Sequence, residues 1–458
     1  MNTQAAHLVP AAVAVACYVA LCGATWRRAR EKHRAASRLA MLPGEQASLL
    51  VIHASQTGTA EGIAAQTASA LQIAGVDVTL CSLAQLRMET LRNHTEALFV
   101  VSTYGEGDAP DAAAHFLATA MRESALDLSN LRYGMLALGD HNYRNFCGFG
   151  RSFDAWLQEQ GAQPLFARIE ADNGDPQALQ AWRRELGHIA ASTDLPEWQD
   201  VPFKPWTLRA REHLNPGSLG AAVFHIELVR ADASMDDWHA GDLLQVLVPG
   251  EPDRPRDYSI ASIPADGAVH LLVRQQIRDD GSMGGASAWL TRDATVGATI
   301  SARLRVHNQF HIDGNEGRDL VLLGNGTGLA GLRAHLRQRV LEQTTGAPAR
   351  RHWLLYGERQ AAHDALYGAE LENWRTSGLL THLDLVYSRD GGVHRYVQDG
   401  LRSEGDRLRQ WVEAGAAIYV CGSLEGMAEG VAAALREQLG ESILAQLQRD
   451  GRYRRDVY

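Results

Sequence analysis

Paired cysteines are missing from this sequence. Its five cysteines, Cys17, Cys22, Cys81, Cys147 and Cys421, make no CxxC spacing. That excludes a disulfide scaffold, a zinc ribbon and a ferredoxin-type iron–sulfur centre, and it predicts no metal site. Any redox chemistry must therefore come from bound organic cofactors. Positive charge is also short. Lys and Arg number 44 against 54 Asp and Glu, a net charge of −10, so nucleic acid is not an expected partner. Lysine is absent from Ser48 to Ser192, a stretch of about −7. Such a surface suits a basic docking partner and equally suits ordinary solubility. Disorder is excluded by 45% hydrophobic against 21% charged residues. At 458 residues the chain exceeds one typical core and implies two or three domains.

Charge of either sign is missing from Met1 to Trp26, and Leu8 to Trp26 is nearly all apolar, about long enough to cross a bilayer. Arg27, Arg28, Arg30, Lys32, Arg34 and Arg38 follow at once. The pattern predicts a transmembrane anchor over 1–26 and a basic linker over 27–47. The basic flank would leave the remainder in the cytoplasm, tethered by a single pass to the inner (cytoplasmic) membrane. A cleaved signal would lack its basic leading segment; the remnant of a larger membrane domain is the other alternative.

From Ser48 onward strand and helix signals alternate. The apolar runs Leu49–Ser55, Ala97–Thr103 and Tyr133–Gly139 each precede a helix-like segment, which predicts a doubly wound parallel sheet over 48–193. Three prolines between Leu195 and Pro205 mark a linker, 194–205. Short alternating strands then predict an antiparallel β-barrel over 206–312. From Arg318 the βα alternation returns, giving a second parallel sheet over 313–458.

In the first α/β unit, Ser55-Gln56-Thr57-Gly58-Thr59 joins a strand to a helix. Hydroxyls, backbone N–H groups and a helix start converge there, as a phosphate requires, although capped strand–helix turns look alike. No Gly-Lys-Ser/Thr follows, so this is not a nucleotide P-loop. Ser102-Thr103-Tyr104-Gly105 with Gly107, and Leu138-Gly139-Asp140 with Asn142 and Tyr143, end the later strands. All three loops fall where doubly wound sheets bind ligands, and Tyr104 and Tyr143 can sandwich a flat ring. Cys147 reads as a packing residue rather than a redox thiol.

In the second half, Arg256 suits a pyrophosphate, Tyr258 a ring face and Ser259 a hydrogen bond to it. Gly284-Gly285-Ala286-Ser287 opens a helix and forms a second phosphate seat. Gly324, Gly326, Thr327 and Gly328 follow a strand and open another helix, the context of a dinucleotide loop. Ser388 and Arg389 suit an adenosine 2′-phosphate, though Arg389 alone could be a solvated loop residue; Tyr396 and Gln398 follow. Cys421 ends a strand and by itself reads as a buried free thiol.

The order of these motifs closely resembles the diflavin reductase family, the sulfite reductase flavoprotein and NADPH–cytochrome reductase-like proteins; Phe146-Cys147 is most similar to the sulfite reductase flavoprotein branch. The resemblance covers nearly all of Ser48 to Tyr458. It implies an α/β multidomain fold: a flavodoxin-like FMN domain, then a barrel FAD domain and an NADP-binding domain of the ferredoxin–NADP reductase type. FMN would sit on Ser55 to Thr59 between Tyr104 and Tyr143, FAD on the RxYS and GxxS motifs, and NADPH on the later loops. The resemblance also implies that Cys421 lies beside the nicotinamide, that Asp456 helps position hydride transfer and that Tyr458 stacks on FAD. With Ser259, these are the expected catalytic residues. Asn325, Gly331, His394 and Ser423 depart from the family pattern, and the helical insert ahead of the RxYS strand is missing. The implied activity carries electrons from NADPH through FAD and FMN to a one-electron acceptor: a haem protein, a sulfite reductase-type partner or a ferric-chelate system. The alternative is a flavin-binding electron-transfer or assembly module without nicotinamide turnover.

Overall fold

The computed structural model describes residues 48–458 apart from 112, 114–115, 118–126, 142, 173, 192–201, 232–237 and 278–282. The expected anchor over 1–26 and its basic linker over 27–47 lie outside the described residues. Among the described residues no helix is long and apolar enough to cross a membrane.

The first sheet is parallel and holds β1 (Leu49–Ala54), β2 (Val78–Ser82), β3 (Glu96–Ser102), β4 (Arg132–Gly139), β5 (Gln163–Pro164) and β6 (Ile169–Asp172), in the order β2-β1-β3-β4-β5 with β6 also on β4. Its strands are apolar on both faces because helices cover both. Leu50, Ile52 and Ala54 face one core with Phe99, Val101, Met135 and Ala137. Leu49 and Val51 face the other with Leu98, Val100 and Leu136. This is the two-residue strand period read directly from the sequence. The helix Pro176–Ile189 starts on the side chain of Asp175, which accepts from the Gln177 N–H, and carries Pro176 in its first turn. Its Trp182 is fully buried, and the indole N–H donates to Thr67 Oγ1 at 3.0 Å, tying this helix to the helix Thr59–Ile73.

The second sheet is antiparallel: β7 (Lys204–His213), β8 (Val223–Arg230), β9 (Leu243–Val248), β10 (Glu251–Ser259), β11 (Val269–Arg274) and β12 (Thr299–Arg305), in the order β10-β9-β12-β7-β8-β11. A bridge between Ile260 and Leu271 brings the two edges together into a barrel, around Trp206, Ile226, Leu244, Val246 and Ile300. The linker expected over 194–205 gives way to β7 at Lys204: Pro205 is already opposite Ser301. Pro205, near the start of β7, has no N–H for the ladder, but its carbonyl still accepts the Ala231 N–H at 3.2 Å. From β9 the chain turns directly into β10, with no helical insert between them.

The third sheet is parallel: β13 (Leu320–Asn325), β14 (His352–Glu358), β15 (Leu380–Tyr387), β16 (Ala417–Gly422) and β17 (Tyr453–Val457), in the order β15-β14-β13-β16-β17. The strand order reverses between β13 and β16. Ligands of open α/β sheets bind at such a crevice.

Candidate functional site

A cavity of about 1420 Å³ joins all three units. Its walls include Asp140 and Tyr143 from the first, Arg256 to Ser259 and Gly284 to Ser287 from the second, and Asn325 to Thr327, Ser388, Tyr396, Gln398 and Tyr458 from the third.

In the first unit, β1 delivers Ser55 to Thr59 at its end. Gly58 takes the left-handed conformation at φ 82°, which glycine adopts without steric cost. Ser55 is 1% exposed, and its hydroxyl has no protein partner; neither does the buried Thr103 hydroxyl. Two orphaned donors on adjacent strand ends fit the phosphate and ribityl oxygens of FMN. Ser102 plays another part: its hydroxyl donates to the Ala54 carbonyl at 3.1 Å and ties β3 to β1. Leu138 and Gly139 close the end of β4; Gly139 packs against the Cys147 backbone, where a Cβ would come 2.7 Å from its nitrogen. Gly105 and Gly107 bend a tight loop between paired Tyr104 and Asp108. The two tyrosines differ in setting. Tyr143 is 41% exposed and faces the cavity. Tyr104 packs on the core of the third unit, and its hydroxyl donates to the Val457 carbonyl at 3.5 Å. Asn142 lies outside the described residues. Cys147 is buried, donates to the Ala137 carbonyl at 3.3 Å, and burial pushes its thiol up to about 12, as befits a packing residue.

In the barrel, Arg256, Tyr258 and Ser259 close β10 on the cavity wall. Ser287 holds its loop: its hydroxyl donates to the Gly284 carbonyl and accepts the Gln276 N–H, both at 3.0 Å. The backbone of Gly284, Gly285 and Ala286 is thereby fixed beside the cavity, a shape that fits the FAD pyrophosphate. Sequence reasoning missed Arg274, at the end of β11. It pairs with Glu358 at 2.6 Å, while its Nη1 has no partner. An arginine ending a strand carries no motif that would reveal it.

In the third unit, Gly324 lies against β16, where a Cβ would come 2.7 Å from the Cys421 carbonyl oxygen; Gly328 lies closer still. Only glycine lets this loop and helix approach the strand. Two family departures answer each other: Asn325 Nδ2 donates to Ser423 Oγ at 3.1 Å, and the Ser423 N–H donates to Asn325 Oδ1 at 3.0 Å. Gly331 leaves room for the Phe310 ring, 2.9 Å from where a Cβ would stand. Ser388 faces the cavity, but the arginines of this unit that line it are Arg359 and Arg395, not Arg389. Arg389 is instead held through its backbone N–H to the Arg359 carbonyl at 2.9 Å. The side-chain oxygen of Gln398 is buried without a partner.

Ser259, Cys421, Asp456 and Tyr458 come together. Strand pairing sets Cys421 opposite Asp456. Ser259 Oγ donates to Asp456 Oδ2 at 2.6 Å, and the Cys421 thiol reaches the same oxygen at 3.6 Å. Burial, and then the Asp456 carboxylate, push the Cys421 thiol well above its usual range, so it stays protonated. Tyr458 is held by backbone bonds to Gly422 and Leu424, and its hydroxyl donates to Thr327 Oγ1 at 3.1 Å. Outside the cavity, His225, Glu227 and His270 bring ligand atoms within 4.8 Å of one another. Protein groups hold them: Arg209 on Glu227 at 2.8 Å, and Tyr367 on His225 at 2.7 Å.

Fold and site together define a flavoprotein-type electron-transfer architecture, with a flavodoxin-like sheet coupled to a barrel and a dinucleotide sheet. The flavodoxin family model matches residues 51–187, and that of the oxidoreductase NAD-binding domain matches residues 322–433. The sulfite reductase [NADPH] flavoprotein alpha-component of Vibrio cholerae is 28% identical over 542 residues, covering 90% of this chain and 87% of its own. That of Neisseria meningitidis is 27% identical over 577 residues, covering 96% and 94%. Both alignments run longer than the 458 residues of this chain, so each relative carries segments that this chain lacks.

Proposed function

We propose that the chain is an NADPH-dependent diflavin oxidoreductase that carries electrons from NADPH through FAD and FMN to a one-electron acceptor. Bound flavins would convert a two-electron hydride donor into single-electron deliveries. The chain's own residues bind and orient. The Gly324–Gly328 turn presents its helix start to the dinucleotide pyrophosphate. Ser259 holds the Asp456 carboxylate at the meeting point of the FAD and nicotinamide seats, and the Cys421 thiol supplies its second donor. The observation that carries this reading is the shared cavity, in which Tyr143 of the FMN seat, Tyr258 of the FAD seat and Thr327 of the nucleotide loop all take part.

Anaerobic addition of NADPH should bleach the flavin absorbance, and acid should release FMN and FAD in equal amounts. No bleaching refutes the reductase; a single released flavin refutes two cofactors. The relatives are named as components of sulfite reductase, which favours a redox acceptor protein of that type as the first to test, before other haem proteins and ferric-chelate systems. The acidic, lysine-free stretch Ser48 to Ser192 favours a basic docking face on it. The membrane tether rests on the uncharged Met1 to Trp26 and the basic residues after it. Recovery of the full chain in the alkaline-washed membrane fraction tests it; recovery in the supernatant refutes it.

A further inference from the structure

Arg305, the last residue of β12 in the barrel, reaches across to the loop that begins the first unit. Its Nη2 donates to the Thr57 carbonyl and to Thr57 Oγ1, both at 2.7 Å, and also to Thr59 Oγ1. Its Nη1 pairs with Asp257, which fixes the guanidinium in place. The neighbouring residues continue the contact. The Val306 carbonyl lies so near Gly58 that a Cβ there would come within 2.9 Å of it. A ring nitrogen of the fully buried His307 meets the Gln56 carbonyl at 3.1 Å. Asn308 Nδ2 donates to Glu61 Oε1 at 2.9 Å. Arg305 and the three residues that follow β12 thus run along the whole loop Gln56–Thr59.

The hydrogen-bond direction matters. A threonine hydroxyl that accepts from a guanidinium keeps its own proton free to donate. The Thr57 and Thr59 hydroxyls also lie 3.4 Å apart and can spend one proton on each other, so at least one is left to donate, Ser55 has another with no partner, and a positive charge stands beside the two threonines. Four residues, one of them from a different domain, make a seat for a dianion. Resting on the reading of this loop as the FMN phosphate site, we infer that Arg305 completes that site from the neighbouring barrel domain. FMN binding and docking of the first unit on the barrel are then linked: the phosphate strengthens the contact that holds the units together, and docking tightens the hold on the phosphate.

The test compares two ligands that differ only by the phosphate. Full-length protein depleted of FMN is titrated with FMN and with riboflavin, following quenching of flavin fluorescence. Arg305→Gln should weaken FMN about ten- to hundredfold, as loss of a charge-assisted contact does, and leave riboflavin within about twofold. Arg305→Lys, which keeps charge and bulk, should fall between and guards against a misfolded glutamine variant. FMN should also protect the inter-unit linker of the unmodified protein from protease, but not that of Arg305→Gln. Equal losses for both ligands, or none for either, overturn the inference and leave the reading of the loop standing. Failure of the unmodified protein to bind FMN overturns the reading itself.

Discussion

Replacing Ser259 by alanine removes the shorter of the two side-chain hydrogen bonds to Asp456. The carboxylate is 5% exposed, so water replaces the lost donor poorly. At 2.6 Å the bond is a short one to a charged group, worth about 1.5–3 kcal/mol. If Asp456 acts on the hydride step through its charge and position, that loss appears as a roughly ten- to hundredfold slower reduction of FAD by NADPH. The Cys421 thiol, a weak donor at 3.6 Å, should matter less, and Cys421→Ala should slow the step less than about fivefold. Anaerobic stopped-flow at saturating NADPH measures both, with FAD content checked by acid extraction and folding by thermal melts. If Cys421→Ala proves as slow as Ser259→Ala, or if Ser259→Ala sheds FAD without changing the rate per bound FAD, then Ser259 does not act through Asp456.

Arg359→Ala and Arg395→Ala should each raise KM for NADPH about tenfold with little change for NADH, because both line the cavity, whereas Arg389→Ala should do less; a reversed order in steady-state kinetics would restore Arg389 as the phosphate ligand. Tyr458→Ala removes the ring and its bond to Thr327 but keeps the backbone bonds that hold β17, so NADH use should improve relative to NADPH, against a stacking contribution of about 1 kcal/mol; an unchanged ratio would remove the ring from the nicotinamide site. Burial opposes the charge on His311, but its 2.5 Å bond to Asp242, with Asp313 nearby, raises it to about 9. Since its folded pKa exceeds its unfolded value, the pair's contribution is complete below about 6.5 and fades as pH climbs through about 9. Urea melts from pH 6 to 10 should show that loss, at most about 3 kcal/mol, and His311→Leu should flatten it; an equal alkaline slope in the variant would assign the loss elsewhere.

The central strands β1, β3 and β4 of the first sheet and β13 to β16 of the third were legible because buried parallel strands are continuous apolar runs, most ending in glycine-rich turns, whereas β2, β5, β6 and β17, shorter or at the sheet margins, were not. β7 was not, since Pro205 reads as a linker residue until its pairing with Ser301 is known. The loops were legible in the same measure as the strands that carry them: the cavity takes in Tyr143, Arg256, Ser259, Thr327 and Ser388. What escaped are residues whose role depends on distant partners. Arg274 meets Glu358, and Arg305 meets Thr57, across 84 and 248 positions of sequence. Neither side chain differs locally from any arginine at a strand end. Tyr104 likewise carries no sign that its hydroxyl faces Val457.

The bond between Asn325 and Ser423 bears on how this loop can change over generations. The Asn325 amide donates to the Ser423 hydroxyl, and its oxygen accepts the Ser423 backbone N–H; both residues are only half-buried. Exchanging Asn325 removes both bonds, whereas exchanging Ser423 removes only the one its hydroxyl accepts, and at half-buried positions water keeps either loss below the roughly 1–3 kcal/mol of a fully buried group. The two positions are therefore coupled in variation, although 98 residues separate them. A lineage leaving this pairing crosses a less stable intermediate unless both codons change in close succession, and the double exchange should be less harmful than the two single ones added together.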